Sequence, residues 1–160
     1  MIMGSKEKLV EQDTEQLEFD FRNVPPSYLL CFNERCPRHG ECLRYMAGQH
    51  LPDGRDFGPV IYPTVPIGDD GCRHFRTEEP KLMAWGFDTL FEEVKRKHVK
   101  ALHMSMYQYL GAKSNYYRYQ HGELLLSPEQ QEWILKLFRR YHYSDNLVFD
   151  HYVRVYDFSH

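Results

Sequence analysis

Residues 21–86 collect what keeps a chain from running far in any regular element: eight of the nine prolines, seven of the ten glycines and all four cysteines. Proline fixes φ and removes a backbone donor, and glycine raises the entropic cost of ordering, so helices and strands here stay short. Turn signals stand at Pro52-Asp53-Gly54 and Gly68-Asp69-Asp70-Gly71. A short helix around Glu41–Ala47 and an extended piece at Val60-Ile61-Tyr62 are the regular structure expected. A loop region of this length needs a local device to hold it.

The cysteines are the candidate device. Cys31, Cys36, Cys42 and Cys72 are separated by four, five and 29 residues. A 160-residue chain, 42% apolar, buries roughly 68–70% of its unfolded surface and holds a core without cross-links, so the thiols need a local reason. The start, Met1-Ile-Met-Gly-Ser-Lys-Glu-Lys, lacks the long apolar stretch of a secretory leader, and the expected location is the cytoplasm, where lasting disulfides are rare. Four thiolates suit tetrahedral Zn²⁺. The alternatives are an iron–sulfur cluster, or free cysteines that are buried or redox-active. The first interval fits loose zinc spacing; together with the long last step it is also similar to plant-type [2Fe–2S] spacing, whose middle interval is shorter. Pro37 directly after Cys36 is a feature found beside some cluster ligands. His39 and His74 are candidates to replace one thiolate or to support it from outside.

After Gly86 the pattern turns helical. Thr89 with Glu92 forms the pattern of a capping box, for a helix through about Lys95. Val99, Leu102, Met106, Tyr109 and Leu110 share one face of a second helix that Gly111 ends. Ser114 is the expected cap of a third helix carrying Tyr116, Tyr117 and Tyr119 and closed by Gly122. Ser127-Pro128-Glu129-Gln130 marks the clearest start, followed by a core stripe of Trp133, Ile134, Leu137, Phe138 and Tyr141. Residues 147–158 fit either a strand or a last helix. The expected fold is mainly α: an irregular, Cys-rich N-terminal half with a four-thiolate metal site, packed on a C-terminal bundle of about four helices, with minor β.

Charge is unevenly placed. Residues 1–20 carry two basic and six acidic side chains, which reads as a mobile acidic arm or a loosely docked helix ahead of one globular domain over 21–160. From Val94 to Gly122 there is no Asp or Glu, while Lys95, Arg96, Lys97, Lys100, Lys113 and Arg118 give +6. Such a run is either a solvated face or the surface for an anionic partner, here nucleic acid or an acidic protein segment. Twelve tyrosines can fill a core and still leave amphipathic rings at the surface.

The stretch Cys31-Phe-Asn-Glu-Arg-Cys-Pro-Arg-His-Gly-Glu-Cys-Leu-Arg-Tyr resembles an uncharacterised domain-of-unknown-function family of gut anaerobes of the Bacteroides type. So do Met83-Ala-Trp-Gly-Phe-Asp, Tyr116-Tyr-Arg-Tyr-Gln-His-Gly-Glu and Leu126-Ser-Pro-Glu-Gln-Gln-Glu-Trp-Ile. The likeness runs from about Tyr28 to Phe158. It implies a small intracellular bacterial protein whose four cysteines belong together, and no activity. Residues 99–141 are similar in order to a helix-turn-helix unit: Met106, Leu110, Ala112 and Tyr117 match its apolar positions, while Tyr107 and Gln120 depart from it. That resemblance puts Lys113, Ser114, Asn115 and Arg118 at the start of a recognition helix, with Lys95, Arg96, Lys97 and Lys100 on phosphates.

No catalytic constellation stands out. There is no GxSxG, phosphate-binding glycine loop or HExxH, and Asp69-Asp70 with His74 reads as a solvated turn before it reads as an acid/base pair. A closed four-thiolate shell leaves no open position for substrate. The expectation is a non-enzymatic binding or regulatory module with no membrane span.

Overall fold

Five α-helices and six short strands make up the regular structure of residues 17–144 and 146–159, which the computed structural model describes. In chain order they are β1 (Leu30–Cys31), α1 (Leu43–Gln49), β2 (Val60–Ile61), β3 (Ile67–Gly68), β4 (Gly71–Cys72), β5 (Lys81–Trp85), α2 (Asp88–Phe91), α3 (Arg96–Tyr109), α4 (Lys113–Gln120), α5 (Pro128–Arg140) and β6 (His151–Val155). The protein is mainly α with minor β. Backbone contacts divide it into two units: residues 17–80 with 156–159, and residues 81–155. The expected step between loop-rich and helical chain, at 86, lies six residues beyond that division. Residues 1–16, most of the expected acidic arm, lie outside the described residues.

In the Lys81–Val155 unit, local signals act where the sequence places them. Ser127 Oγ accepts from the Gln130 N–H at 3.2 Å, and Gln130 Oε1 accepts from the Ser127 N–H at 2.9 Å. With Pro128 in the first turn, this satisfies donors that a helix start leaves open. Ser127→Ala is expected to cost about 1 kcal/mol, read from urea unfolding followed by Trp133 fluorescence; an unchanged midpoint would show that the cap contributes nothing. Gly111 and Gly122 end α3 and α4 at φ +96° and +79°, a region that other residues enter only with strain.

Three expectations for this unit are corrected. Thr89 and Glu92 form no capping box. Asp150 caps α2 instead, its carboxylate accepting from the Asp88 and Thr89 N–H groups at 3.0 and 2.7 Å, and the helix stops at Phe91. Ser114 does not cap α4, which starts at Lys113 with Ala112 as N-cap, because Gly111 has already redirected the chain. Residues 81–85, expected to be irregular, are a strand: β5 pairs antiparallel with β6, from Lys81 with Val155 to Trp85 with His151, which also decides the open question at 147–158. Gln131, buried in α5, donates to the Leu82 and Leu126 carbonyls at 2.9 and 3.0 Å, tying helix to strand. Leu102 and Met106 of α3 and its C-cap Leu110 meet Ile134, Leu137 and Phe138 of α5 in the core, with Phe87, Leu126 and Phe149. Tyr109 and Trp133, assigned to those stripes, stack on each other at 3.8 Å nearer the surface.

The Leu17–Pro80 unit has a smaller core. Val24, Tyr28, Leu30, Leu43 and Ala47 are buried together, with Phe19, Met46, Leu51 and Phe158 packed around them. Phe19 therefore belongs to a core, although the arm was expected to reach residue 20. α1 starts two residues later than expected, since His39–Glu41 forms a 3₁₀ turn that delivers the chain to it.

Candidate metal centre

Each cysteine arrives on a different piece of backbone. Cys31 ends β1, which runs parallel to β2 with Cys31 opposite Ile61. Cys36 sits in a turn built by Asn33: the Cys36 N–H donates to the Asn33 carbonyl at 3.3 Å, and Asn33 Oδ1 accepts from the Arg35 N–H at 3.1 Å. Cys42 is the N-cap residue of α1. Cys72 ends the β3–β4 hairpin, whose turn over Asp69-Asp70 is exposed. Two contacts draw this last segment back to the first three: the Leu43 N–H donates to the Arg76 carbonyl at 2.7 Å, and Cys42 and Thr77 form an antiparallel bridge.

All four cysteines line one small cavity of about 20 Å³, together with His39, Arg44 and His74. All four are free thiols, with Cys42 buried and the others half-buried. Burial pushes the Cys31 thiol up, a backbone hydrogen bond from Asn33 opposes this, and Cys42, Cys36 and Cys72 push it further. Four thiolates gathered this way repel one another unless a cation joins them. As they stand, no three His, Cys, Asp or Glu side chains among the described residues form a ready metal-ligand group.

Each of the two histidines has a partner on one ring nitrogen. His39 Nδ1 lies 2.7 Å from the Cys36 carbonyl, which can only accept, so Nδ1 carries the proton. Its ring packs edge-on against Tyr45. His74 Nε2 accepts from Arg73 Nε at 3.3 Å, while the His74 backbone N–H points to Cys72 Sγ at 3.4 Å. Desolvation, with the cations of Arg73, Arg44 and Arg76, holds the His74 imidazole below its ordinary range.

Arg44 was not singled out from the sequence. It is 2% exposed, and Leu43, Arg44, Ala47 and Gly48 together form the buried face of α1. The signal was the spacing: Arg44 and Gly48 repeat one residue behind the apolar pair Leu43 and Ala47.

The basic residues belong to the other unit. Lys95, Arg96, Lys97 and Lys100 are exposed at the start of α3, and none has a carboxylate partner among the described residues. Lys113 lies 6.0 Å from the Tyr107 ring, beyond the far end of α3. Arg118 pairs with exposed Glu123 at 3.4 Å, and the Asn115 amide donates to the Leu110 carbonyl at 2.9 Å, closing the end of α3. From Arg96 to Tyr107 is about 16 Å at 1.5 Å per residue, so the +6 segment divides between the two ends of one helix. The positions that departed from helix-turn-helix spacing make contacts of their own: Tyr107 stacks on His103 and meets Tyr116 edge-on, and Gln120 joins the Phe87 N–H to the Asp88 carboxylate.

A family model, described as a family of unknown function (DUF6078), matches residues 12–158. The chain belongs to DUF6078. That match spans both units and every cysteine of this DUF6078 chain. No curated protein and no solved structure matches it. No helix among its described residues is long and apolar enough to cross a membrane.

Proposed function

We propose that Cys31, Cys36, Cys42 and Cys72 bind one zinc ion whose work is structural: it closes the Leu17–Pro80 unit and makes the protein a metal-stabilised binding module rather than an enzyme. The observation that carries this reading is the convergence of four thiols on one cavity across a 29-residue gap. A cysteine has a single side-chain torsion that moves its sulfur, so rotation about χ1 is the motion that brings these sulfurs to the Zn–S distance of about 2.3 Å. A shell of four thiolates is then complete and offers no position for substrate. The free thiols fit a reducing compartment, which is why we place the protein in the cytoplasm.

Elemental analysis of protein isolated under reducing conditions tests this. About one equivalent of zinc in colourless protein is expected. A brown protein containing iron and inorganic sulfide would replace zinc with an iron–sulfur cluster in electron transfer or redox sensing, and folded protein free of both metals would end the proposal.

The binding partner in this reading is nucleic acid, or an acidic protein segment, met by Lys95, Arg96, Lys97 and Lys100, with Lys113, Asn115 and Arg118 as the remaining candidates. It is supported by the exposure of the first four cations, which have no carboxylate partners among the described residues. Replacing those four by Glu is expected to weaken binding of generic DNA or RNA and to lower the salt slope by about 0.9 per lost phosphate contact. Titrations at several salt concentrations measure this, and an unchanged slope would remove the segment from the interface.

A further inference from the structure

Among the described residues, the buried Arg44 has no carboxylate partner. Its Nε donates to the His74 carbonyl at 2.8 Å, one terminal nitrogen donates to the Leu29 carbonyl at 3.1 Å, and the guanidinium lies 4.6 Å from the Tyr28 ring centre. Two neutral carbonyls accept from two of its five N–H groups and a ring faces it, but none of these cancels its charge. A guanidinium stays protonated in proteins, so it cannot escape by neutralisation. Burying such a charge is unfavourable unless an anion compensates it. The wall of the cavity that Arg44 shares holds the four thiols and no carboxylate.

We infer that Arg44 is the counter-ion of an anionic centre made by Cys31, Cys36, Cys42 and Cys72, and that neither His39 nor His74 replaces a thiolate in it. The inference rests on the zinc reading and deepens it by naming the ligand set and the residue that balances its charge. Four thiolates around a divalent ion leave a net charge of −2; three thiolates and a neutral imidazole leave −1. The buried cation favours the more negative set. The lone pair of His74 Nε2 is already taken by Arg73; His39 donates Nδ1–H to the Cys36 carbonyl and keeps Nε2 open, so for His39 the charge balance alone carries the inference. Arg44 is thus a positioning residue, acting on the ion through the sulfurs.

Competition between the full-length protein and a zinc chelator is the experiment, applied to wild type, Arg44→Lys, Arg44→Met, His39→Ala and His74→Ala. Arg44→Met keeps the buried stem without the charge and is expected to bind zinc 10–100-fold more weakly, on the order found for residues that support metal ligands. Arg44→Lys, which restores the charge, is expected to recover most of that loss, a rescue that a packing role alone would not produce. Both histidine variants are expected to bind as wild type does, with unchanged sulfur-to-metal charge-transfer intensity when cobalt replaces zinc. If Arg44→Met does not fold, Arg44→Gln stands in its place under the same expectation. Wild-type affinity in the uncharged variant, or loss of the ion in a histidine variant, overturns the inference while leaving a zinc site. Wild-type protein that takes up no zinc overturns the zinc reading itself, and this inference with it.

Discussion

Cys72→Ala, purified under reducing conditions, is expected to contain no zinc and to lose cooperative folding of the Leu17–Pro80 unit. In the proposed zinc site Cys72 is the ligand that lies far downstream, and without it an ion would no longer span the 29-residue gap after Cys42. A core in a unit of this size supplies roughly 3–5 kcal/mol, and here the buried apolar cluster among the described residues is five: Val24, Tyr28, Leu30, Leu43 and Ala47. Structural zinc contributes apparent binding energies of about 10–16 kcal/mol in small zinc-dependent folds. On the zinc reading the ion would outweigh the core, and its removal should unfold the unit rather than loosen it. Trp85 and Trp133 both lie in the Lys81–Val155 unit, so their fluorescence should change little while amide exchange across residues 28–78 rises towards that of unfolded chain. Treating wild type with a strong chelator should reproduce the pattern. Full protection in Cys72→Ala, with or without metal, would show that the small core suffices.

Gly48→Ala is the second large effect, and its sign is opposite to helix propensity. Alanine in place of a helical glycine ordinarily stabilises by about 1 kcal/mol. In α1, a Cβ at position 48 would stand 2.5 Å from the Cys31 carbonyl oxygen and 3.2 Å from the Phe32 ring. The nearer atom is backbone in β1 and cannot rotate away, so helix and strand must separate. A cost of about 1–3 kcal/mol is expected, as for other overpacked sites, along with weaker zinc binding because β1 carries Cys31. Gly40→Ala is the control: an added Cβ there meets nothing within 4 Å. Urea unfolding of the pair, followed by far-UV circular dichroism, should separate them; equal midpoints would mean that α1 and β1 adjust without cost.

What could be read in advance follows the range of the interaction. The capping box at Ser127 and Gln130, and the glycine stops at positions 111 and 122, involve neighbours within a turn, and the sequence carries that information whole. The cap of α2 depends on Asp150, more than sixty residues from the donors it accepts, and Thr89 and Glu92 offered a local pattern that lost to it. β5 has no alternation of apolar and polar residues; it is a strand because β6 lies against it. Gln120, read as a mismatch, is in place as a polar strap to Phe87 and Asp88.

The count, spacing and irregular setting of the cysteines already marked them as one group, since few other devices hold a proline-rich stretch together. The amino-acid order alone also determined the helical character of the chain after residue 86 and the basic charge of residues 94–122. Only the tertiary structure decided that Cys72 lines the same cavity as the other three, that the basic charge divides between two ends of α3, and that Arg44 is buried beside the thiols. The reason is physical: caps and charge runs are properties of adjacent residues, whereas a shared cavity or a buried cation exists only once distant segments have packed.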